Sequence, residues 1–161
     1  MFNPDCVACG LSDGRLDLPG GLIHGTSLWR VEHCIGPLGV GTLIVKPIRH
    51  VEHLGDLSGA EARQLGPLLR RIAQVVAELC APRQVYVCLW SHGPLHIHFV
   101  VQPETDELLA EFSAHGPKLQ VGMFDRGTAP DSTAVAAFAR AARNAFENDV
   151  HGNECRSAPL R

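Results

Sequence analysis

One segment limits the possible folds more than any other. Ser58-Gly59-Ala60-Glu61 has the residue pattern of a capping box, in which a serine hydroxyl and a glutamate carboxylate each satisfy a free backbone amide at a helix start. Behind it Leu65, Leu68, Leu69, Ile72, Val75, Val76 and Leu79 recur at the spacing of a helix with one buried face, and Pro82 stops the run. A helix of that length needs an apolar surface to lie on. Candidate strands flank it on both sides. Ser27 to Cys34 and Val40 to Lys46 are rich in β-branched and aromatic residues, separated by the turn-like Gly36-Pro37-Leu38-Gly39. Gln84 to Ser91 and Leu95 to Val101 form a second pair, joined by His92-Gly93-Pro94.

The order strands, long helix, strands, helix implies an α+β fold with a mostly antiparallel sheet. Beyond Pro103 a weaker helical stretch reaches about Ser113, and a turn or strand is expected around Leu119 to Phe124. A C-terminal helix is expected from about Ser132 to Glu147, with Val135, Phe138, Ala142 and Phe146 on one side. The segment from Cys6 to Gly25 is rich in Gly, Asp and Pro and reads as a hairpin or loop. With 161 residues, 45 % of them apolar, the chain supports one core: a single domain over residues 1–150 and a flexible tail over 151–161.

The formal charge of −3 and the lack of Lys or Arg runs argue against long nucleic acid as a partner but allow a small anionic ligand. No apolar stretch approaches the roughly 20 residues of a membrane span. The first residues, Met1-Phe2-Asn3-Pro4-Asp5-Cys6, lack a basic and then apolar leader, and six cysteines without one suggest reduced thiols and a cytoplasmic location.

Nine histidines are the unusual feature of the composition. In Pro94-Leu95-His96-Ile97-His98-Phe99-Val100-Val101-Gln102-Pro103, alternation along a strand puts His96, His98, Val100 and Gln102 on one face and Ile97, Phe99 and Val101 on the other. The second face is core. Two neighbouring imidazoles on the first need partners for both ring nitrogens if they are buried. Cys6-Val7-Ala8-Cys9 is a Cys-x-x-Cys pair that needs two further ligands for a closed tetrahedral zinc site. His24, His33, His50, His53, His92 and His96 are the candidates, and spacing does not choose among them. A redox dithiol is the alternative, although it expects a helix starting at the first cysteine, and Gly10 to Gly14 does not read as one.

The stretch Gly41 to His50, ending Lys46-Pro47-Ile48-Arg49-His50, then the capped helix, then His96 to Pro103, together resemble the histidine triad (HIT) family of nucleotide hydrolases and transferases. The resemblance covers about Cys6 to Pro103. It aligns His96 and His98 with the first two motif histidines and puts Val100 where the third belongs.

The resemblance implies a structural zinc held by Cys6, Cys9, His50 and His96, with His53 and His92 as substitute ligands. It implies His98 as the nucleophile, attacking phosphorus to give a nucleotidyl-imidazole that water or another acceptor resolves. The ligand would be a nucleotide or other small phosphorylated molecule. The phosphate contact normally made by the third histidine would pass to Gln102, Ser91 or His92. The acidic residue that binds ribose in this family corresponds to Cys34, and a histidine usual in the next strand corresponds to Thr42, so Glu32 is the replacement carboxylate. Trp29 and Trp90 could wall a base pocket or pack in the core. Lys118, Arg126 and His115 could reach a phosphate or be solvated. The family also implies a homodimer paired through the long helix and an edge strand. Two other functions stay open: a zinc-stabilised nucleotide or small-molecule binding protein of the same fold that does not hydrolyse, and a site in which zinc itself is catalytic.

Overall fold

The computed structural model describes residues 3–89 and 96–152. Five antiparallel strands form one sheet in the order β1-β2-β3-β5-β4, with β1 Leu22–Gly25, β2 Trp29–His33, β3 Leu43–Pro47, β4 Gln84–Cys88 and β5 Phe99–Glu104. Helices α1 Val7–Asp13, α2 Gly59–Cys80, α3 Asp106–Phe112, α4 Gly116–Arg126 and α5 Ser132–Gly152 complete it. This is the α+β architecture expected of the sequence.

One face of the sheet carries the main core. Trp29, Val31, Leu43, Val45, Phe99 and Val101 point toward Leu68, Ile72, Val75 and Val76 of α2 and Ala139, Ala142 and Phe146 of α5. The capping box forms as its residues dictate: Glu61 N donates to Ser58 Oγ at 3.2 Å and Ser58 N donates to Glu61 Oε2 at 2.7 Å. Trp29 is fully buried, its Nε1 donating to Glu61 O at 3.3 Å, so it is a core residue and not a pocket wall.

The opposite face holds a smaller cluster in which Cys34, Leu38 and Val100 meet Phe112, Leu119 and Met123. Two elements there differ from the sequence expectation. Residues 7–13 form a helix instead of part of a hairpin or loop. It is capped by the Cys6 thiol, which accepts from Cys9 N, and closed by Gly14 in the left-handed region, where glycine pays no Cβ penalty. Gly10 lets the Leu16 side chain lie against the helix, since a Cβ there would stand 2.9 Å from Leu16 Cδ1 and push that side chain aside. Residues around Leu119 to Phe124 are likewise helical. Pro117 near the start of α4 suits a helix N-terminus, and Leu119, Gln120 and Met123 make its buried stripe. A fifth strand, β1, also emerges at the end of the segment read as a hairpin or loop. The C-terminal helix continues past Glu147 and His151 to Gly152, and no described helix is long and apolar enough to cross a membrane.

Candidate functional site

The site is built on the second face, where α1 packs against the sheet. The four ligand atoms of Cys6, Cys9, His50 and His96 lie within 4.8 Å of one another. Cys6 Sγ is 3.5 Å from His96 Nδ1, and Cys9 Sγ is 3.5 Å from His50 Nδ1 and 3.6 Å from His96 Nδ1. Bond lengths of about 2.3 Å to sulfur and 2.0–2.1 Å to nitrogen at a tetrahedral angle put S and N about 3.6 Å apart. The donor set therefore fits a tetrahedral ion. His96 Nε2 is 3.0 Å from Pro47 O, and a carbonyl only accepts, so the proton sits on Nε2 and the Nδ1 lone pair faces the thiols. His50 Nε2 faces Glu52 Oε1 at 3.6 Å, which orients its ring the same way. Burial, with help from the neighbouring His50, lowers the His96 pKa to about 4 and keeps the ring neutral, as a metal ligand must be. Burial pushes the Cys9 thiol up, against the need for a thiolate, and a bound cation would reverse that.

The remaining candidates lie elsewhere. His24 stacks on Phe146 with ring centroids 4.4 Å apart, and His33 bridges Cys34 O and Gly41 N. His53 is exposed, and His92 falls outside the described residues. The Cys-x-x-Cys pair does stand at a helix start, the feature whose expected absence weighed against a redox dithiol. Its surroundings are nonetheless two imidazoles at metal-ligand spacing.

Beside this cluster is a cavity of about 290 Å³. Apolar groups supply most of its wall, including Val7 and Leu11 of α1, Ile44, Val100 and Phe124. Its polar wall contains Glu32, Lys46 and His98. His98, half-buried, lies just before β5, yet the alternation expected of a strand persists: Ile97 is 1 % exposed in the core, while His96 and His98 face the site. His98 Nδ1 donates to His96 O at 2.9 Å. This bond fixes the tautomer and leaves a lone pair on Nε2. Val100, 5 % exposed, adds hydrocarbon to the cavity wall on the same side as His98. Cys34 also lines the cavity, and burial raises its thiol pKa.

Glu32 also lines the cavity. It is 3 % exposed, and its Oε1 accepts from Lys46 Nζ at 2.5 Å. Burial raises its pKa while Lys46 opposes that shift. Lys46, a lysine before a proline at a strand end, carries no local mark of burial, yet the structure buries it completely. Gln102 does not line the cavity. Its Nε2 donates to Leu38 O at 3.3 Å and approaches Met123 Sδ at 3.0 Å, which directs the amide under α4. Ser91 and Trp90 lie outside the described residues, as His92 does. His115 pairs with Glu104 at 3.1 Å, Arg126 stacks over Phe112, and neither they nor Lys118 line the cavity.

No family model matches the chain, and no curated protein does. Solved structures do. A hypothetical histidine triad nucleotide-binding protein from Sulfolobus tokodaii superposes with a TM-score of 0.70 at 12 % identity, covering 96 % of this chain and 100 % of that one. A Hit-like protein involved in cell-cycle regulation from Bartonella henselae gives 0.69 at 12 %, covering 89 % and 98 %. A zinc-bound histidine triad family protein from Mycobacterium smegmatis gives 0.68 at 19 %, covering 92 % and 97 %. The chain has the histidine triad fold.

Proposed function

We propose that the protein is a HIT-type nucleotide hydrolase or nucleotidyltransferase, with His98 as nucleophile and a structural zinc on Cys6, Cys9, His50 and His96. The observation that carries this is the His98 ring: its Nδ1–H is held by His96 O, and it lines a cavity large enough for a ligand. Nε2 attacks phosphorus, an N–P bond forms, and the leaving group departs with its bonding electrons and takes up a proton. Water or another acceptor then attacks the same phosphorus, the N–P bond breaks, and neutral imidazole is restored. Ser91 and His92 are the phosphate contacts this scheme draws on, with Glu32 as a substrate-binding carboxylate. Four protein donors leave the zinc no open position for water, so its role is to hold α1 against the sheet.

A second reading has its own support. Val100 offers a phosphoryl oxygen no donor, and removing one such stabiliser commonly costs about 10²–10³-fold in rate. A zinc-stabilised protein that binds a nucleotide or other small molecule without turnover meets that observation. Incubation with nucleotides labelled at the reacting phosphorus separates the two. A covalent adduct on the wild type and none on His98→Ala supports the enzyme; saturable binding with no adduct on either supports the binding protein.

Pairing of two copies through α2 and the edge strand β4 is part of the proposal, since Leu79 and Val87 at that edge are 36 % and 45 % exposed. A reducing, cytoplasmic setting suits five unpaired thiols among the described residues.

A further inference from the structure

The cavity contains a pair of charges that the proposed nucleophile does not use. Glu32, Ile44 and Val100 are register partners across β2, β3 and β5, so Glu32 stands in the cavity wall on the same row as the third motif position. Its Oε1 is taken by Lys46, while Oε2 is buried without a partner among the described residues. Lys46 also lines the cavity, and besides Glu32 it donates to Ala8 O at 2.8 Å, which commits two of the three donors of an ammonium. A buried carboxylate oxygen left unpaired is costly, and a ligand that brings a donor to it recovers that cost.

The chemistry of that ligand is constrained. Lys46 already neutralises Glu32, so a cationic group would bring an uncompensated charge into an apolar cavity; the donor belongs to a neutral group. A ribose diol is matched by a carboxylate with both oxygens free, and Glu32 has one. An acceptor beside a donor is instead the complement of a ring edge that carries one N–H next to one acceptor atom. The walls formed by Val7, Leu11, Ile44 and Phe124 suit the faces of such a ring.

We propose that Glu32 and Lys46 form a specificity site that reads the hydrogen-bonding edge of an uncharged planar ring, the base of a nucleotide. Glu32 Oε2 accepts an N–H of the ring or its exocyclic amine, and Lys46 serves the neighbouring acceptor. This rests on the nucleotide reading of the cavity and deepens it by assigning recognition to the base in place of the ribose.

The test is calorimetric binding to the zinc-loaded full chain carrying His98→Ala, so that no ligand is consumed. The probes are inosine, adenosine and purine riboside 5′-monophosphates and 2′,3′-dideoxyadenosine 5′-monophosphate. Purine riboside monophosphate has acceptors but no base N–H donor, and it should bind at least about tenfold more weakly than the inosine or adenosine compound. The dideoxy compound should stay within about threefold of its parent, because Cys34 offers the ribose no carboxylate. Glu32→Gln alone strands a buried lysine and risks the fold. The double variant Glu32→Met/Lys46→Met removes both charges together with the acceptor and the donor, and it should level the series. Equal binding of purine riboside monophosphate, a loss confined to the dideoxy compound, discrimination that survives the double variant, or no nucleotide binding at all would each overturn the proposal. The nucleophile fails separately: base-edge discrimination without an adduct on the wild type sinks His98 alone, and an adduct without discrimination sinks only the edge-reading site.

Discussion

The two faces of the sheet are held by different physics. On the α2/α5 face, long elements with a continuous apolar stripe meet Trp29, Val31, Leu43, Val45, Phe99 and Val101, and burial is spread over many side chains. On the other face, α1 spans only residues 7–13 and buries Cys9 and Gly10, with the Cys6 thiol at its cap. A helix that short does not stand alone in water. What fixes it is a set of polar attachments: two thiols facing two imidazoles, and Lys46 donating to Ala8 O. Distributed burial makes one face tolerant. The other depends on a few contacts, and two of the residues that make them, Lys46 and His96, also line the cavity.

Removing the proposed zinc is the strongest way to break this contrast. A chelator, or Cys9→Ser, should release zinc, detach α1 and open the cavity wall that Val7, Ala8 and Leu11 provide. The expected result is a fall in melting temperature of about 10 °C or more, with cleavage by protease near residues 5–16, while α2 and α5 keep their helical circular dichroism. An unchanged melting point with zinc at zero stoichiometry would mean that packing alone seats α1. Ile72→Ala probes the opposite face. It deletes a fully buried side chain from α2 and should cost about 2–5 kcal/mol in chemical denaturation, with zinc content unaltered. Loss of metal in that variant would show the faces to be coupled.

The same contrast accounts for what the sequence disclosed. The face that rests on periodicity was legible: the capping box, the α2 stripe and the alternation through Ile97, Phe99 and Val101 need only neighbours in sequence to be seen. His50 and His96 could be joined to Cys6 and Cys9 only through a family resemblance, because the contact between Cys6 and His96 spans 90 residues. Helix α1 was hidden for a related reason. Its sequence holds Gly10 and no strong stripe, and its cap is a thiol, whose other contact is the distant His96. Lys46 was missed because nothing local marks a lysine for burial; Glu32, 14 positions away, does. In α4, Pro117 and the triplet Leu119, Gln120 and Met123 were available signals that reading residues 119–124 as a turn or strand obscured.

Gly41 sharpens the comparison, since it lies where the tolerant face is least tolerant. Its φ is +93°, and a Cβ there would stand 2.6 Å from Cys80 Sγ at the end of α2. Its N–H donates to His33 Nε2 at 3.0 Å, which ties the turn before β3 to the end of β2. Gly41→Ala combines a disfavoured backbone region with a clash and should destabilise by about 2–3 kcal/mol. Pairing it with Cys80→Ala relieves the clash and leaves the backbone term, so about half of the loss should return. No recovery would assign the whole cost to φ.

The smallest effect concerns Glu61, which joins the faces at their common edge by capping α2 and pairing with Arg49, the neighbour of His50. The Arg49 guanidinium, 2.8 Å away, and the bonds from Ser58 lower its pKa to about 2. A carboxylate whose pKa is depressed on folding adds stability that is complete above its unfolded value, near 4.5, and is lost as the pH falls toward 2. Arg49 is 45 % exposed, so solvent screening reduces the expected loss to about 1–2 kcal/mol. Acid would also release the proposed zinc, which makes the absolute stability a poor readout. The difference between wild type and Glu61→Gln cancels that release, because both proteins carry the same four ligands. That gap should be widest at neutral pH and close steadily between pH 4.5 and pH 2. A gap that is flat across the range would mean that Glu61 acts through shape and neutral hydrogen bonds, and that the edge of the metal face is not tied electrostatically to the start of α2.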